Sequence, residues 1–313
     1  SSQKQVYNIY KNKKIKIGYY SSDFFDHATM YLISGLLREH NKDQFEIMVF
    51  NYGKNKPTEF VNETMKNVNL FKDISNFPDL EIVKLSRELK IDIAIDLKGY
   101  TLNSRSKLFA YRLAPIQINF LGYPGSLGSS FIDYIIADKI LIPDEAKENY
   151  SEKIIYLSNS YQPNDEKREI SNIKTKKEDF GFPQNSIILC CFNTTYKITT
   201  EELEIWSRIL NKIENTYLWL IKTNEIAESN LKNFFKQRNI NINRIKFTEN
   251  FQHSKHLERL SHSDLFLDTF NYNAHTTCSD ALWAGVPVIT KIGMQFSARV
   301  ASSLLNTLNL QEL

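Results

Sequence analysis

Apolar runs of strand length alternate with stretches of helical spacing through the first half of the chain. Strand-like runs rich in β-branched residues lie at 14–21, 45–52, 91–97, 116–123 and 131–138. Amphipathic spacing predicts helices at 31–40 and 79–90. Continuous apolar strands that alternate with helices are typical of a parallel sheet covered on both faces.

The same alternation resumes after residue 185. Strands are predicted at 186–193, 216–223, 244–250, 264–270 and 287–291, and helices at 199–213, 227–239, 254–263, 275–285 and 297–308. The first of these helices should take Thr199 or Thr200 as its N-cap, and Ser254 should open the third. The second half therefore predicts another doubly wound α/β unit.

A polar segment separates the two alternating regions. It is charged, contains two prolines and has no sustained apolar period. We therefore divide the chain into an N-terminal extension (1–13), a first lobe (14–157), a linker (158–185) and a second lobe (186–313). This organisation predicts a two-lobed α/β enzyme with an interdomain cleft.

Composition narrows the class of protein. The 313 residues contain 39 Lys and Arg against 36 Asp and Glu, so the net charge of +3 is too balanced for a dedicated nucleic-acid binder. No apolar run approaches the ~20 residues that span a bilayer, so no membrane association is expected. The three cysteines and the lack of an apolar leader in the given sequence favour a reducing, cytoplasmic location.

Polar loops follow four strands of the second lobe, at 194–197, 251–256, 271–277 and 292–295. Ligands of doubly wound sheets bind beyond the carboxyl ends of the strands, so these loops should share one edge. His275, Thr276 and Thr277 would form the first turn of a helix, where free N–H groups favour phosphate. An ordinary N-cap is an equally good interpretation of that turn.

Lys197 lies in the first of these loops and would add a positive charge at the same edge. Taken alone, it is more simply a solvated loop lysine, but with the Thr-rich helix start it suits a diphosphate. His256 and Arg259 are three residues apart and share one helix face. A His ring can stack on a base, and Asp280 could accept hydrogen bonds from ribose hydroxyls; the alternative for Asp280 is a helix-surface carboxylate.

Two candidates lie in the first lobe. His27 follows the first strand and is a candidate base or acceptor-site residue, with helix capping as the alternative. Gly125 belongs to LGYPGSLG (121–128), where glycines allow either close backbone approach to a ligand or an ordinary tight turn. No CxxC, HxxxH or HExxH spacing occurs, so no metal is expected. No GxGxxG, Walker or GxSxG motif is present either.

Several longer segments resemble a known family. They are SSDFFDH (21–27), DLKGYT (96–101), RLAPIQINFLGYPGSLG (112–128), CCFNTTYKIT (190–199) and DLFLDTFNYNAHTTCSDALWAGVPVIT (264–290). From about residue 14 onward, the chain resembles the catalytic region of O-linked N-acetylglucosamine transferases. The resemblance implies a GT-B fold with two Rossmann-like lobes. It also implies inverting, metal-independent transfer of N-acetylglucosamine from UDP-N-acetylglucosamine to protein Ser or Thr hydroxyls.

The resemblance also implies roles for individual residues. Lys197 would neutralise the departing diphosphate, and His275, Thr276 and Thr277 would bind its phosphates. His256 would lie against uracil with Arg259 close by, and Asp280 would hold the ribose. The remaining site residues implied are His27 near the reacting centre, and Thr194 and Gly125 on the donor. Two departures stand out, because Lys98 is often Asn or Arg in relatives and His253 is Lys in animal relatives.

Other functions stay open at this stage. A protein O-fucosyltransferase that uses GDP-fucose is the first alternative, although its corresponding segment is Thr-rich and lacks a counterpart of His275. A catalytically inactive sugar-nucleotide or protein-binding module is the second. The expected partners are UDP-N-acetylglucosamine and acceptor proteins, with no cofactor, metal or nucleic acid. Relatives carry N-terminal tetratricopeptide repeats, so we expect the chain to be the catalytic part of a longer protein.

Overall fold

A computed structural model describes residues 10–313, so residues 1–9 of the predicted N-terminal extension lie outside the described residues. The chain separates into two compact units, with the division between Lys167 and Arg168. This position falls inside the segment predicted as a linker.

The first unit is built on a seven-stranded sheet. Its strands are β1 (Ile15–Ser21), β2 (Phe45–Asn51), β3 (Leu70–Asp73), β4 (Ile93–Asp96), β5 (Ile116–Asn119), β6 (Tyr134–Ala137) and β7 (Lys153–Tyr156). Its helices are α1 (Ala28–Glu39), α2 (Glu59–Met65), α3 (Asp79–Glu88) and α4 (Lys107–Ala110). The order β3-β2-β1-β4-β5-β6-β7 is parallel throughout, which confirms the predicted doubly wound architecture.

Four elements of this unit were not predicted, namely β3, β7, α2 and α4. β3 and β7 are the two edge strands of the sheet and have no fully buried residue, so they lack the continuous apolar run of a central strand. α2 and α4, with seven and four residues, have too few positions to establish a helical period. The predicted strand at 116–123 ends early, because Leu121 has a φ of 69°. At Gly122 a Cβ would lie 1.9 Å from the Leu97 carbonyl oxygen, so only glycine fits there.

Aromatic packing behind β1 fixes the core of the first unit. The Tyr20 ring stacks on Phe50 at 4.6 Å and meets Phe109 edge-on at 5.8 Å. Its hydroxyl is 2.8 Å from the Ser86 hydroxyl of α3, so this buried polar atom is paired. β1, β2 and α3 are thereby held together below the carboxyl edge of the sheet.

The second unit contains every element predicted for it. Its strands are β8 (Ile187–Cys191), β9 (Thr216–Ile221), β10 (Ile245–Thr248), β11 (Leu265–Leu267) and β12 (Val288–Ile289). Its helices are α5 (Thr200–Lys212), α6 (Glu225–Lys236), α7 (His253–Leu260), α8 (Thr276–Trp283) and α9 (Val300–Thr307). The sheet order is β10-β9-β8-β11-β12, again parallel throughout.

Helix starts in this unit are close to the predicted positions. Thr199 is the N-cap of α5, and the Glu202 carboxylate accepts its N–H at 2.9 Å as in a capping box. The prediction that Ser254 opens α7 was wrong by one residue, since the helix already begins at His253. His253 therefore belongs to the first turn of α7, on the carboxyl side of β10.

The segment predicted as a linker is packed against the protein on both sides of the division between the units. On the first unit, the Asp165 carboxylate accepts hydrogen bonds from Arg38 at 2.8 and 3.1 Å and from Ser34 at 2.9 Å. On the second, Thr175 donates its hydroxyl to Glu258 at 2.8 Å. Within residues 10–313, no helix is both long enough and apolar enough to cross a membrane.

Candidate functional site

The start of α8 organises the first group of functional side chains. Because the second sheet is parallel, the loops after β8 and β11 lie at one edge, and α8 begins there with His275 as its N-cap. We call the side chains gathered at this point the α8 cluster. Its members are Asn193, Lys197, Tyr272, His275 and Thr277.

Lys197 ends the short 3₁₀ helix that follows β8. Its Nζ donates to the Asn273 carbonyl oxygen at 3.1 Å and lies 3.9 Å from the centre of the Tyr272 ring. Among residues 10–313, no carboxylate forms an ion pair with this ammonium group. Burial lowers the pKa of Lys197 to about 8, and the nearby Asp268 charge only partly opposes the shift. The cation is thus half-buried, oriented and not neutralised by an ion pair.

Asp268 follows β11 and holds the loop that leads to α8. One carboxylate oxygen accepts N–H groups of Thr269 at 2.7 Å and Ala274 at 2.5 Å, and the Asn193 amide at 3.1 Å. The other oxygen accepts the Thr290 hydroxyl at 2.6 Å. Burial raises the pKa of Asp268 to about 6 despite these donors. Its hydrogen-bonding capacity is used by the protein, so its role is to shape the loop.

His275 is neutral at physiological pH. Its Nε2 donates to the Ser297 carbonyl oxygen at 3.1 Å, and its ring stacks on Tyr272 at 4.9 Å. Removal from water, together with the Lys197 charge, lowers the pKa of His275 to about 3. Tyr272 therefore contacts Lys197 through its ring face and His275 by stacking, which fixes the separation of these two groups.

Asn193 joins the end of β8 to the first turn of α8. The Thr277 hydroxyl donates to its amide oxygen at 2.7 Å, and its amide nitrogen donates to Thr269 at 2.8 Å. The N–H groups of Thr276 and Thr277 are in the first turn, where a helix supplies no acceptor. These N–H groups and the helix dipole add positive potential beside Lys197. The arrangement suits an anion with several oxygen atoms.

A second group of side chains, which we call the α7 cluster, comprises His253, His256, Arg259 and Asp280. The Arg259 side chain is only 1% exposed and donates to His256 Nδ1 at 2.9 and 3.1 Å and to Thr248 at 2.8 Å. Burial and the Arg259 charge lower the pKa of His256 to about 4, and burial lowers that of Arg259 to about 10. His256 is thus a neutral ring held by an arginine.

Asp280 corrects one of the alternatives considered from sequence. It is 4% exposed, so it is no helix-surface carboxylate. Its Oδ1 accepts hydrogen bonds from Arg168 at 2.9 Å and from His253 Nε2 at 3.1 Å. The His256 ring also lies 5.4 Å from Phe192, the neighbour of Asn193 in the chain. The α7 and α8 clusters therefore meet at the end of β8.

Three side chains near the end of β1 in the first unit, His27, Asp23 and Lys98, form what we call the β1 cluster. His27 is the N-cap of α1, and its Nδ1 accepts the Thr29 N–H at 3.2 Å, which confirms the capping alternative. The same Nδ1 is 3.6 Å from the Asp23 carboxylate. Each oxygen of that carboxylate accepts a hydrogen bond from Lys98 Nζ, at 2.9 Å for Oδ1 and 2.8 Å for Oδ2. Burial lowers the pKa of His27, and Asp23 partly opposes this. Its role as a base stays a prediction.

The last two predicted residues act through their backbones in this structure. The Gly125 carbonyl accepts a hydrogen bond from the Asn119 amide at 3.0 Å, and a Cβ added at Gly125 would lie 3.5 Å from the Tyr123 ring, an ordinary contact distance. Close approach of the chain thus occurs at Gly122 and not at Gly125. The Thr194 carbonyl accepts the Lys197 N–H at 3.0 Å and so begins the turn that carries the lysine.

Four further residues that form or support these clusters were not predicted as site residues, namely Asn193, Asp268, Tyr272 and Arg168. Asn193 and Asp268 directly follow buried strands, so the rule that located the loops could have found them. Arg168 is 112 residues from Asp280 and lies in the segment predicted as linker, so no local pattern indicated it. Among residues 10–313, no three His, Cys, Asp or Glu side chains form a metal-ligating group.

Comparisons with known proteins agree on one family. The profile of Glycosyl transferase family 41 matches residues 2–177 and 162–313. A probable UDP-N-acetylglucosamine–peptide N-acetylglucosaminyltransferase, SEC of Arabidopsis thaliana, is 34% identical over 297 residues that cover 93% of this chain and 30% of that protein. The enzyme named UDP-N-acetylglucosamine–peptide N-acetylglucosaminyltransferase in Caenorhabditis elegans is 24% identical, with 98% of this chain and 36% of that protein covered.

Solved structures support the same relationship. A lysine-to-methionine mutant of the O-GlcNAc transferase of Thermobaculum terrenum matches with a TM-score of 0.86 and 27% identity, covering 96% of this chain and 57% of that one. A glycosyltransferase of Rickettsia africae matches with a TM-score of 0.60 at 14% identity, a likeness of fold alone. The predicted GT-B fold class and family resemblance are thus confirmed, and the chain belongs to glycosyltransferase family 41.

Proposed function

We propose that the chain is the catalytic part of an inverting, metal-independent glycosyltransferase. It would transfer N-acetylglucosamine from UDP-N-acetylglucosamine to Ser or Thr hydroxyls of proteins. One observation carries the proposal: the ammonium group of Lys197, without an ion-pair partner among residues 10–313, lies beside the first turn of α8. A positive charge held at a helix start fits a diphosphate leaving group.

The two clusters of the second unit supply groups for each part of the donor. Lys197 and the N–H and hydroxyl groups of Thr276 and Thr277 would bind the phosphates, with Thr194 at the edge of the same loop. The neutral ring of His256, held by Arg259, would lie against uracil. The Asp280 carboxylate would accept hydrogen bonds from the ribose. The neutral state of His256 favours this, because contact between an uncharged ring and an uncharged base does not remove a charge from water.

The proposed reaction balances without a metal or cofactor. The acceptor oxygen forms a bond to the anomeric carbon on the face opposite UDP, and the bond from that carbon to the phosphate oxygen breaks. Its electron pair goes to the diphosphate, where Lys197 and the α8 dipole stabilise the new charge. Preplaced groups of this kind typically contribute a factor of about 10² to 10³ to the rate. The acceptor proton leaves to a base, for which His27 is the candidate.

The relatives support the proposal through their names, which describe peptide N-acetylglucosaminyltransferases. The chain spans 30% and 36% of the two curated relatives described above. We expect acceptor proteins to be recruited by tetratricopeptide repeats and the protein to be cytoplasmic.

The full-length protein should be incubated with UDP-N-acetylglucosamine, UDP-glucose or GDP-fucose and acceptor peptides. Intact-mass measurement should show one N-acetylhexosamine added per modified hydroxyl, with undiminished transfer in a chelator. The glycosidic bond formed should be β by proton coupling constants, opposite to the α linkage of the donor. Preferential transfer from GDP-fucose would replace the proposal with an O-fucosyltransferase. Loss of transfer in the chelator would show that the reaction needs a metal, and an α product would show that it retains configuration.

A further inference from the structure

We infer that Arg168 is a positioning residue that orients the Asp280 carboxylate toward the ribose hydroxyls of the nucleotide. This inference rests on the proposed function. Arg168 is the first residue of the second unit and lies outside every element of its sheet and helices. Its position is that of an ordinary residue in a connecting segment, and its contacts distinguish it.

Both the side chain and the main chain of Arg168 are held by α8. Its Nη1 donates to Asp280 Oδ1 at 2.9 Å, and its guanidinium carbon lies 4.8 Å from the centre of the Trp283 ring. The Trp283 Nε1 donates in turn to the Arg168 carbonyl oxygen at 3.3 Å. Asp280 and Trp283 are three residues apart and so share one face of the helix. Three independent contacts thus place Arg168 along this face.

The hydrogen bonds of Asp280 are distributed unequally between its two oxygens. Arg168 and His253 both donate to Oδ1. Among residues 10–313, Oδ2 receives no hydrogen bond. The side chain is nevertheless 6% exposed, and that of Arg168 is 5% exposed. Oδ2 itself keeps some exposure to solvent, so a ligand can supply the donor that the protein does not. The two protein donors therefore orient the carboxylate so that Oδ2 stays available.

The chemistry of the missing donor follows from these surroundings. An anionic oxygen accepts hydrogen bonds and repels phosphate, so it selects a hydroxyl or N–H group. Asp280 lies one helical turn after Thr276 and beside His256, whose pKa is affected by its charge. In the proposed complex, this location is between the phosphates and the base. A nucleoside diphosphate carries its ribose hydroxyls at that point.

Arginine has specific properties that lysine lacks at this position. Its planar guanidinium donates along fixed directions while its face stacks on an indole ring. A lysine would preserve the positive charge, but it would give neither the fixed direction nor the stacked geometry. The substitution Arg168→Lys therefore separates orientation from charge, whereas Arg168→Gln removes both.

The test compares two nucleotides, UDP and its analogue that lacks both ribose hydroxyls, by calorimetric titration. For Arg168→Gln we expect the Kd of UDP to rise about tenfold, the loss of roughly one well-oriented hydrogen bond to a charged group. The Kd of the analogue should change less than about twofold, since it makes no such bond. Arg168→Lys should weaken UDP selectively, by a smaller factor.

A matched control is Arg238→Gln. Arg238 also combines an ion pair, to Glu204, with stacking on an aromatic ring, that of Phe234 at 3.3 Å, but it lies after α6. This variant should bind both nucleotides as the wild type does. Thermal unfolding of each variant shows whether it is folded. If Arg168→Gln does not fold, the comparison of the two nucleotides rests on Arg168→Lys.

The outcomes separate the inference from the proposed function. If the Arg168 variants weaken UDP and its analogue equally, or weaken neither, Arg168 has a structural role only and the inference is wrong. That result leaves the proposed function intact, because the wild type still binds UDP. If the wild type binds neither UDP nor the analogue, the proposed function and the inference fail together.

Discussion

Each unit holds a lysine at the carboxyl edge of its parallel sheet, and the two lysines differ in their partners. Lys98, after β4, is 5% exposed and donates to both oxygens of Asp23 at 2.8 and 2.9 Å. Lys197, after β8, donates to the Asn273 carbonyl oxygen and lies over the face of Tyr272, and among residues 10–313 no carboxylate pairs with it. One charge is neutralised within the fold, and the other remains available to a ligand.

The partner of a charged group, and not its burial alone, indicates whether the group serves stability or ligand binding. A buried ion pair is self-sufficient, and its removal mainly affects stability. A half-buried ammonium group without a carboxylate partner carries a desolvation cost that an anionic ligand relieves. The lowered pKa of Lys197 is the sign of this cost. The two lysines should therefore differ sharply when each is substituted.

The largest effect is expected for Lys197→Ala. Loss of the charge that stabilises the leaving diphosphate should lower kcat by a factor of about 10² to 10³, as for other preplaced electrostatic groups. The unfolding midpoint should not fall, because no ion pair is broken. Steady-state transfer assays and denaturant unfolding measure the two quantities. Lys291→Ala, which removes an exposed lysine paired with Glu201, is the control and should leave kcat unchanged. Wild-type kcat in Lys197→Ala would contradict the leaving-group role.

Lys98→Met should show the reverse pattern. It leaves the Asp23 carboxylate buried without its ion-pair partner, which typically costs about 3–5 kcal/mol of the free energy of unfolding. The double variant Lys98→Met/Asp23→Leu should recover much of this loss, because replacement of both members of a buried pair is often neutral. Urea unfolding measures all three proteins. Equal stability of Lys98→Met and the wild type would show that the pair contributes nothing.

The pH dependence of kcat/KM should follow the titration of Lys197. Lys197 is charged below its pKa of about 8, so kcat/KM for the donor should fall about tenfold per pH unit as pH rises above that value. The folded-state pKa lies below the ordinary 10.5, so the same group makes the free energy of unfolding increase from about pH 8 to that value. A kcat/KM that stays constant between about pH 7 and 10 would exclude Lys197 as the titrating group.

The smallest effect on stability is expected at His27, the member of the β1 cluster that caps α1. His27→Ala removes the acceptor of the Thr29 N–H and should cost about 1 kcal/mol, whereas His27→Asn preserves a good N-cap. If His27 is the base, His27→Asn should still lower kcat by a factor of about 10² to 10⁴. Thermal unfolding and transfer assays separate the two roles. A stable His27→Asn protein with wild-type kcat would leave only the capping role.

The α-helices could be predicted where an apolar period spans several turns, and the strands where they form a buried apolar run. The strands and α-helices of the second unit were located in this way, whereas the edge strands β3 and β7, which have no fully buried residue, and the four-residue helix α4 escaped. Within the candidate site, residues in loops after strands were found, since parallel pairing brings those loops to one edge. Arg168 was missed, because its contact with Asp280 joins positions far apart in the chain.

By itself, the sequence determined the two doubly wound units, the carboxyl edge at which Lys197 and the α8 turn lie, and the family resemblance. Periodicity and strand-end position are local properties, so they can be read along the chain. Only the tertiary structure decided that Lys98 is neutralised by Asp23, that Lys197 is not ion-paired among residues 10–313, and that Asp280 is buried against Arg168. The reason is physical, because the charge environment of a side chain depends on neighbours that the fold brings from distant parts of the sequence.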